Sequence, residues 1–268
     1  SFITWPEGNG RLVAHLRKYV ADHILTGHAV SQIVPPENTA TGDEKSTKII
    51  AFQTANSSPL ANSPPEVHGW TARHVIVAAP PFLTAHLIAD YHEFGPSSIK
   101  DFEFGSWLVA NLHLDDRPSN DSFVMSWDNV IYDSPSLGYV TATHQKGIDR
   151  GPTVLTYYFP LCDTSPKAAR ERLLRLSWED WADVVLTDLE RAHPEIRRLT
   201  KRLDIMRWGH AMIRPTPGFI SGPARSACSK PFRNVHFAHS ALSGIPLFEE
   251  AFYHGNRAAS EILESLNA

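Results

Sequence analysis

Apolar residues in the first part of the chain follow helical spacing and then strand spacing. Residues 11–20, with Tyr19 on the apolar face, predict a helix. Residues 29–34 and 48–53 flank a polar, turn-rich stretch, which predicts a strand and its returning partner. Residues 72–81 contain a short unbroken apolar run closed by two prolines, as is typical of a strand buried on both faces. A helix is expected directly after it.

The middle of the chain is rich in aromatic residues at alternating positions, which predicts a mixed sheet. Its expected strands are residues 106–114, 122–127, 138–143, 153–159 and 203–213.

Two helices are expected within this middle part. Ser165 precedes a proline at a first-turn position, and Ser177 with Asp180 has the spacing of a capping box, with Asp in place of the usual Glu. One apolar stripe runs along these helices and is interpreted as core. Its members are Leu174, Trp178, Trp181, Val185, Leu189 and Ala192.

The chain closes with a short apolar strand, a turn rich in Ser and Gly, and a helix over residues 236–263. Ala251, Gly255 and Ala259 lie four residues apart, so they stack on one helical face. Small side chains there allow either a neighbouring strand or a flat ring to come into contact, and the spacing leaves both open. The helix is therefore a candidate ligand-binding site.

The residues of the turn before that helix indicate which kind of ligand would bind there. Ser240, Ser243 and Gly244 offer hydroxyls and backbone N–H groups beside the positive end of the helix dipole. Glu249 and Glu250 in the first helical turn repel an anion. A neutral, electron-poor ring such as the pyrimidine edge of a flavin therefore suits the position better than a pyrophosphate.

Composition narrows the class of protein. The 268 residues are 42% hydrophobic and carry a net charge of −4, which gives no reason to expect nucleic acid as a partner. Two cysteines without metal-ligand spacing predict two free, partly buried thiols and no metal site. No run reaches the ~18 apolar residues of a membrane span. Compartment and oligomeric state stay open.

The order of these features resembles the latter part of flavin-dependent amine oxidases and phytoene-desaturase-type oxidoreductases. The resemblance covers nearly the whole chain and is carried by WPEGNG (5–10), VIVAAPP (75–81), VHFAHS (235–240) and EEAFYHGNRAA (249–259). It implies an α/β (α+β) fold with FAD as cofactor. Residues 1–90 would form part of the FAD-binding domain, residues 91–214 the substrate-binding domain, and residues 215–268 the C-terminal FAD-binding segment.

The resemblance also assigns cofactor contacts and has clear departures. His239 stands where the family usually has Gly, Ser240 where it has an acid, and Glu250 where it has Gly. The glycine fingerprint of a dinucleotide-binding strand and helix is not found. We therefore expect the C-terminal portion of a flavoprotein that holds FAD weakly or not at all and is inactive alone. The cofactor-binding residues implied are Ala238, His239, Ser240, Ser243, Gly244, Glu250 and Ala251.

The implied reaction is hydride removal from a carbon next to an amine nitrogen. His144, Gln145 and His210 are the catalytic candidates, with a surface or hydrogen-bonded histidine as the alternative. The lysine common near the flavin in this family cannot be placed, which leaves dehydrogenase and oxidase open. Aromatic substrate-binding candidates, each with core packing as the alternative, are Trp107, Trp127, Tyr157, Tyr158 and Trp208.

Other functions stay in view. A non-enzymatic binding module derived from the same fold, or a polyene desaturase, are the alternatives to an amine oxidoreductase. A small-molecule amine is preferred, with spermidine-dehydrogenase-like enzymes as the nearest guess. A polyamine substrate would require acidic residues in its binding cleft, for which Asp115, Asp116 and Asp128 are candidates.

Overall fold

A computed structural model describes residues 5–37, 45–53, 66–119, 123–148 and 150–267. The chain divides into two compact units. The first is Phe104–Met212 with the segment that ends at Leu16, and the second is Arg17–Glu103 with Ile213–Ala268. The predicted division into FAD-binding and substrate-binding domains, with boundaries at residues 91 and 215, stays a prediction.

Helices and strands come mostly in runs along the described residues. The helices are α1 (Gly10–Arg17), α2 (Pro81–Leu87), α3 (Tyr91–Phe94), α4 (Pro166–Arg175), α5 (Trp178–Glu190), α6 (Ile196–Leu199), α7 (Ala224–Ser229) and α8 (Phe248–Asn267). The strands are β1 (His28–Val34), β2 (Thr47–Gln53), β3 (Val67–Ala72), β4 (Val75–Val77), β5 (Phe104–Leu114), β6 (Asp128–Asn129), β7 (Tyr139–Thr141), β8 (Thr153–Pro160), β9 (Thr200–Ile213) and β10 (Val235–Phe237). This confirms the α/β (α+β) prediction.

The first unit is built on a five-stranded sheet in the order β6-β7-β8-β5-β9. Burial alternates along β8 and, from Ser106 onwards, along β5, so one face of the sheet is core and the other is only half-buried. Residues from α4 and α5 pack in the same core. Its largest fully buried side chains include Trp181, Tyr139, Tyr157, Leu108, Leu112 and Leu155.

The strand predicted over residues 122–127 is wrong for its described part, since residues 123–127 are not in a strand. The Asn129 side chain accepts from the Ser126 N–H at 2.8 Å and donates to its carbonyl at 2.9 Å. These bonds close a turn of the kind that Asn favours. Only the short strand β6 follows it; Ser122 lies outside the described residues.

The capping box of α5 is confirmed, but the apolar stripe only in part. Ser177 Oγ accepts from the Asp180 N–H at 3.1 Å, and the Asp180 carboxylate accepts from the Ser177 N–H at 3.0 Å. Trp181, Val185 and Leu189 are buried, whereas Trp178 is 52% exposed and Leu174 is also exposed. Leu174 belongs to α4 and Trp178 begins α5, so a helical period counted through the break does not hold.

The second unit contains two smaller sheets. β1, β2 and β3 form an antiparallel sheet, and β4 pairs with β10 in parallel. The strand predicted over residues 72–81 is therefore shorter than expected, and its burial on both faces is wrong because Ile76 is 40% exposed. Among the described residues β4 pairs with β10 alone, so it is an edge strand and is less buried than a central strand would be.

The structure also bears on the predictions that lie outside the sheets. α1 is confirmed but ends at Arg17, before Tyr19, and it buries none of its residues. Both thiols are free as predicted, Cys228 being buried and Cys162 exposed. No helix among the described residues is long and apolar enough to cross a membrane.

Candidate functional site

The closing strand, turn and helix, here called the terminal segment (residues 235–267), are all present. Val235 and Phe237 of β10 pair with Val75 and Val77 of β4, and a 3₁₀ turn over Ser240–Ser243 leads towards α8. Gly244 ends the turn at φ +72°, a region that glycine adopts readily. A Cβ at Gly244 would lie 2.5 Å from Ile220 Cδ1. The positive φ therefore favours glycine there, and a larger residue would also have to displace the Ile220 side chain.

His239, the residue that departs from the expected glycine, caps this turn. Its Nδ1 accepts a hydrogen bond from the Ala241 N–H at 3.0 Å, and its carbonyl accepts from the Leu242 N–H at 3.0 Å. Burial lowers the pKa of His239. A neutral ring is what the cap requires, because only an unprotonated Nδ1 can accept. Ala238 before it is buried and donates to Val77 at 3.0 Å.

The small-residue face of α8 is open. Ala251 and Ala259 are exposed, and a Cβ built at Gly255 would have no atom within 4 Å. His254 and Ala258 lie on the buried face instead. Packing against a strand, the simpler explanation of the spacing, is therefore not what these residues do within the described chain. The face stays free for another backbone or a flat ring.

The buried face of α8 holds a chain of polar contacts that starts at Glu250. Ser243 Oγ lies 2.5 Å from Glu250 Oε2 and 2.9 Å from His254 Nε2, and Arg257 Nε lies 3.2 Å from His254 Nδ1. Since arginine only donates, His254 Nδ1 must accept and Nε2 must carry the proton. Nε2 then donates to Ser243, which donates to the Glu250 carboxylate. Glu250, which stands where the family usually has glycine, is thus stabilised by a hydrogen bond from the Ser243 hydroxyl.

Arg257 joins this chain to the rest of the unit. Its guanidinium donates to the Phe237 carbonyl at 2.6 Å and to the Ser229 carbonyl at 2.9 Å, and it pairs with Glu261. The other oxygen of Glu261 lies 2.9 Å from His236 Nδ1. These contacts fix α8 against the end of β10, and so they set where the open small-residue face stands.

His254 gives the terminal segment a predicted pH dependence. Burial, followed by the nearby charge of Arg257, lowers the pKa of His254 from 6.5 to about 4. The unfolded chain therefore takes up this proton between about pH 6.5 and 4, where the folded chain does not. Stability from this group is complete above pH 6.5 and declines as the pH falls towards 4, with a slope of at most ~1.4 kcal/mol per pH unit.

Urea unfolding at a series of pH values checks this dependence. His254→Gln is expected to flatten the curve between pH 6.5 and 4 relative to the unmodified chain. His144→Gln, at an exposed histidine, is the matched control and should leave the curve unchanged. Equal curves for His254→Gln and the unmodified chain would contradict the assignment.

The sheet of the first unit places several predicted substrate-binding residues together. Trp107 and Tyr158 lie on the face away from the core of β5 and β8, and Trp208 is an exposed residue of the neighbouring edge strand β9. His210 follows two residues later on β9 and so shares the side of Trp208. We call the half-buried face of this sheet the open face. It is defined by Trp107, Val109, Asn111, Asp128, Val140, Thr156 and Tyr158.

Other predicted residues do not join the open face. Tyr157 is fully buried on the core side and donates to Asp188 at 2.9 Å, so the core-packing alternative describes it. Trp127 is exposed just before β6. His144 and Gln145 lie in a 3₁₀ turn after β7.

The predicted catalytic residues are not brought together. His144 follows β7 and His210 lies on β9, with β8 and β5 between those strands. Three strand spacings amount to roughly 14 Å. Burial and then the charge of Arg170 lower the pKa of His210. The two histidines therefore do not form one proton-transfer pair.

Sequence reasoning missed the polar stripe of α8. Glu250, His254, Arg257 and Glu261 recur at helical spacing, and that period indicates one shared face. The signal was present, but a polar stripe usually marks the solvent side of a helix. No group of three or more His, Cys, Asp or Glu among the described residues could hold a metal ion.

Comparison with known proteins identifies the family. Residues 1–263 match the family model described as flavin containing amine oxidoreductase. The chain belongs to this amine oxidoreductase family. No curated protein matches its sequence.

Solved structures agree in fold with this amine oxidoreductase chain. Cyclohexylamine oxidase from Brevibacterium oxydans matches with a TM-score of 0.66 at 15% identity, covering 97% of this chain and 53% of that one. Putrescine oxidase bound to putrescine matches with a TM-score of 0.65 at 15% identity, covering 96% and 53%. At this identity the likeness shows the fold. The chain spans about half the length of these structures.

The terminal segment fits the flavin that the family name implies. Gly255 has free space where a side chain would begin, and the charge of Glu250 is held by the hydroxyl of Ser243. The open face formed by Ala251, Gly255 and Ala259 carries no charge itself, and the acids Glu249 and Glu250 at the helix start disfavour an anion, so the face suits a flat, neutral ring. The residues present therefore suit the ring part of the cofactor better than its phosphates.

Proposed function

We propose that this chain is the part of an FAD-dependent oxidoreductase that oxidises amines by C–N hydride transfer. The family match over residues 1–263 carries the proposal. FAD, when bound, accepts the hydride. We further propose that the chain holds FAD weakly or not at all when alone, and that it is inactive by itself, because it spans only about half of its structural neighbours.

Two groups of residues would serve the cofactor. Ser240 presents a hydroxyl in the turn before α8, and Gly255 leaves the helix face free for close approach. Ser243, also predicted to contact the cofactor, would act through Glu250, because its hydroxyl is bonded to Glu250 and His254. Arg257 does not touch the cofactor in this proposal but holds α8 in register with β10. The remaining predicted contacts are Ala238, His239, Gly244, Glu250 and Ala251.

The open face of the five-stranded sheet would orient the amine. Aromatic rings attract ammonium groups through their faces, and Trp107, Tyr158 and Trp208 supply such rings. An amine is favoured over a polyene because the solved neighbours are named for cyclohexylamine and putrescine. His210 is retained as a group that orients substrate from the same side.

The test compares this chain with a protein extended upstream in its own gene. Flavin absorbance after purification should be close to zero for the chain and near stoichiometric for the extended protein. Addition of an alkylamine without oxygen should then bleach the flavin band of the extended protein. A stoichiometric flavin band on the chain alone refutes the weak-binding part, and an extended protein that binds no flavin refutes the whole proposal.

Gly255 allows a separate prediction. Gly255→Ala should raise the stability of the chain by up to about 1 kcal/mol, because the added methyl meets nothing and alanine favours the helix. Ala259→Gly, on the same exposed face, is the reverse control and should lower it by a similar amount. Urea unfolding followed by circular dichroism measures both. In the extended protein Gly255→Leu should reduce the bound flavin, since the larger side chain fills the small-residue face of α8.

A further inference from the structure

A cleft lies at the amino ends of the parallel strands β4 and β10. Arg73 and His74 come directly before β4, and Arg233 and Asn234 come directly before β10. The cleft has a volume of about 360 Å³, which is in the range of sites that hold small molecules. We call it the amino-end cleft. Its lining residues are Pro36, Glu37, Lys45, Arg73, His74, Arg233 and Asn234.

The Asn234 side chain fixes the backbone of two basic residues at this cleft. Its amide nitrogen donates to the Lys45 carbonyl at 3.0 Å and to the Arg73 carbonyl at 2.6 Å. Its amide oxygen accepts from the hydroxyl of Thr47, a fully buried residue, at 2.6 Å. Side-chain hydrogen bonds that are fully satisfied hold a single local geometry. The fold therefore sets the points from which the Lys45 and Arg73 side chains extend.

Arg233 contributes a third cation from an unusual backbone conformation. Its side chain is 15% exposed, and its guanidinium lies 3.4 Å from Asp90 Oδ2. Its φ is +56°, in the left-handed region that is unfavourable for a residue with a side chain. Residues held in such conformations concentrate at binding and active sites. The conformation of Arg233 is thus consistent with a ligand-binding role.

The amino-end cleft carries a surplus of positive charge. Its lining contains the three cations and one acid, Glu37. Asp90 beside Arg233 compensates a second charge, so one positive charge remains when both acids are counted. No ion pair joins Lys45 or Arg73 to an acid within the part of the chain that the structure describes. Both side chains can therefore donate to an anion.

The amino-end cleft is separate from the residues proposed to contact the flavin. β4 and β10 run in parallel, and the turn over Ser240–Ser243 follows the carboxyl end of β10. Three residues of strand span roughly 10 Å. The cleft is at the other end of these strands. A ligand bound there would be a second ligand, in addition to the flavin.

His74 connects the cleft to α8. Its Nδ1 lies 3.4 Å from His236 Nε2, and its Nε2 lies 3.4 Å from Ser265 Oγ on α8. Burial, followed by the charges of His236 and Arg73, lowers the pKa of His74. An anion in the cleft would act in the opposite direction, because negative charge favours the protonated imidazole. The pKa of His74 should therefore report whether an anion is bound.

We propose that the amino-end cleft binds the phosphate group of a small organic molecule. The guanidinium groups of Arg73 and Arg233 match phosphate oxygens in shape, and Lys45 adds a compact charge. A free phosphate ion would fill only a small part of the cleft, so an organic phosphate fits the volume better. The proposal depends neither on amine oxidation nor on a bound flavin.

Isothermal titration calorimetry on the 268-residue chain tests this with phenyl phosphate, inorganic phosphate and phenol at constant ionic strength. Phenyl phosphate should bind, inorganic phosphate should bind more weakly, and phenol should not bind. Lys45→Gln combined with Arg73→Gln should weaken binding of phenyl phosphate about tenfold, because two charge-assisted hydrogen bonds are lost. Lys100→Gln combined with Lys230→Gln is the matched control, since it removes the same charge from exposed residues outside the cleft.

NMR titration of the histidine rings gives a second measurement on the unmodified chain. Phenyl phosphate should raise the pKa of His74 and leave that of the exposed His144 unchanged. His74→Gln assigns the resonance. The rise should be absent when Lys45→Gln and Arg73→Gln are combined. Circular dichroism verifies that each variant is folded.

The results either support or overturn the proposal. Weaker binding of phenyl phosphate to the Lys45 and Arg73 double variant, with binding retained in the lysine control, supports it. No saturable binding, equal losses in the two double variants, or inorganic phosphate binding as tightly as phenyl phosphate overturns it. A pKa of His74 that does not respond to bound phenyl phosphate also overturns it. The flavin proposal stays intact in each case, because flavin content and bleaching are measured on the extended protein.

Discussion

Asp188→Ala is expected to lower the free energy of unfolding of the first unit by about 3 to 5 kcal/mol. Asp188 is 8% exposed. Its Oδ2 accepts the hydroxyls of Ser134 at 2.6 Å, Ser136 at 2.9 Å and Tyr157 at 2.9 Å, and its Oδ1 lies 3.2 Å from Arg191. Removing the carboxylate leaves three hydroxyls and one guanidinium without this acceptor. Buried donors that lose a partner cost the desolvation of each group.

Asp183→Ala is the matched control for this change. Asp183 is on the same helix α5, but it is 71% exposed and pairs with Arg197 at the surface. An exposed ion pair contributes less than about 1 kcal/mol. Urea unfolding of both variants, followed by circular dichroism, measures the difference. Equal losses for Asp183→Ala and Asp188→Ala would contradict the role given to the buried carboxylate.

Trp181→Ala is expected to destabilise the same unit by roughly 3 to 5 kcal/mol. The Trp181 side chain is 2% exposed, its Nε1 donates to the Leu173 carbonyl at 3.2 Å, and its ring meets Phe159 edge to face at 6.1 Å. Truncation leaves a cavity between α5 and the sheet and an unpaired carbonyl. The urea midpoint of the variant should fall accordingly.

Trp178→Ala separates burial from residue type. The same substitution three residues earlier removes a side chain that is half exposed, so its cost should be well below that of Trp181→Ala. A large loss at Trp178 and a small one at Trp181 would show that the sheet core is not where the structure puts it. The pair also tests the corrected part of the predicted stripe.

Much of the fold was accessible to local reasoning. The capping box at Ser177 was predictable because its two hydrogen bonds join residues three apart. Strands β5 and β8 were predictable because alternating burial leaves a period of two in the sequence. The strand predicted before Asp128 failed because the side chain of Asn129 competes for the backbone groups of Ser126, a contact that hydrophobicity does not report.

The candidate site was less accessible. The small residues at Ala251 and Gly255 were found from spacing, but spacing did not say whether that face is covered or open. The Glu250 side chain was noticed as a departure, yet its contact with Ser243 and the link to His254 depend on how the turn folds back onto the helix. Periodicity identifies which residues share a helical face, but it does not show which other residues pack against that face.

The sequence by itself determined the local elements, the terminal segment and the family. Each of these depends on residues close together in the chain, where caps, turns and alternation leave a direct trace. Only the tertiary structure decided that Tyr157 belongs to the core and that His144 and His210 are apart. Strand order and register bring distant residues together or separate them, and one shift in register exchanges the two faces of a sheet.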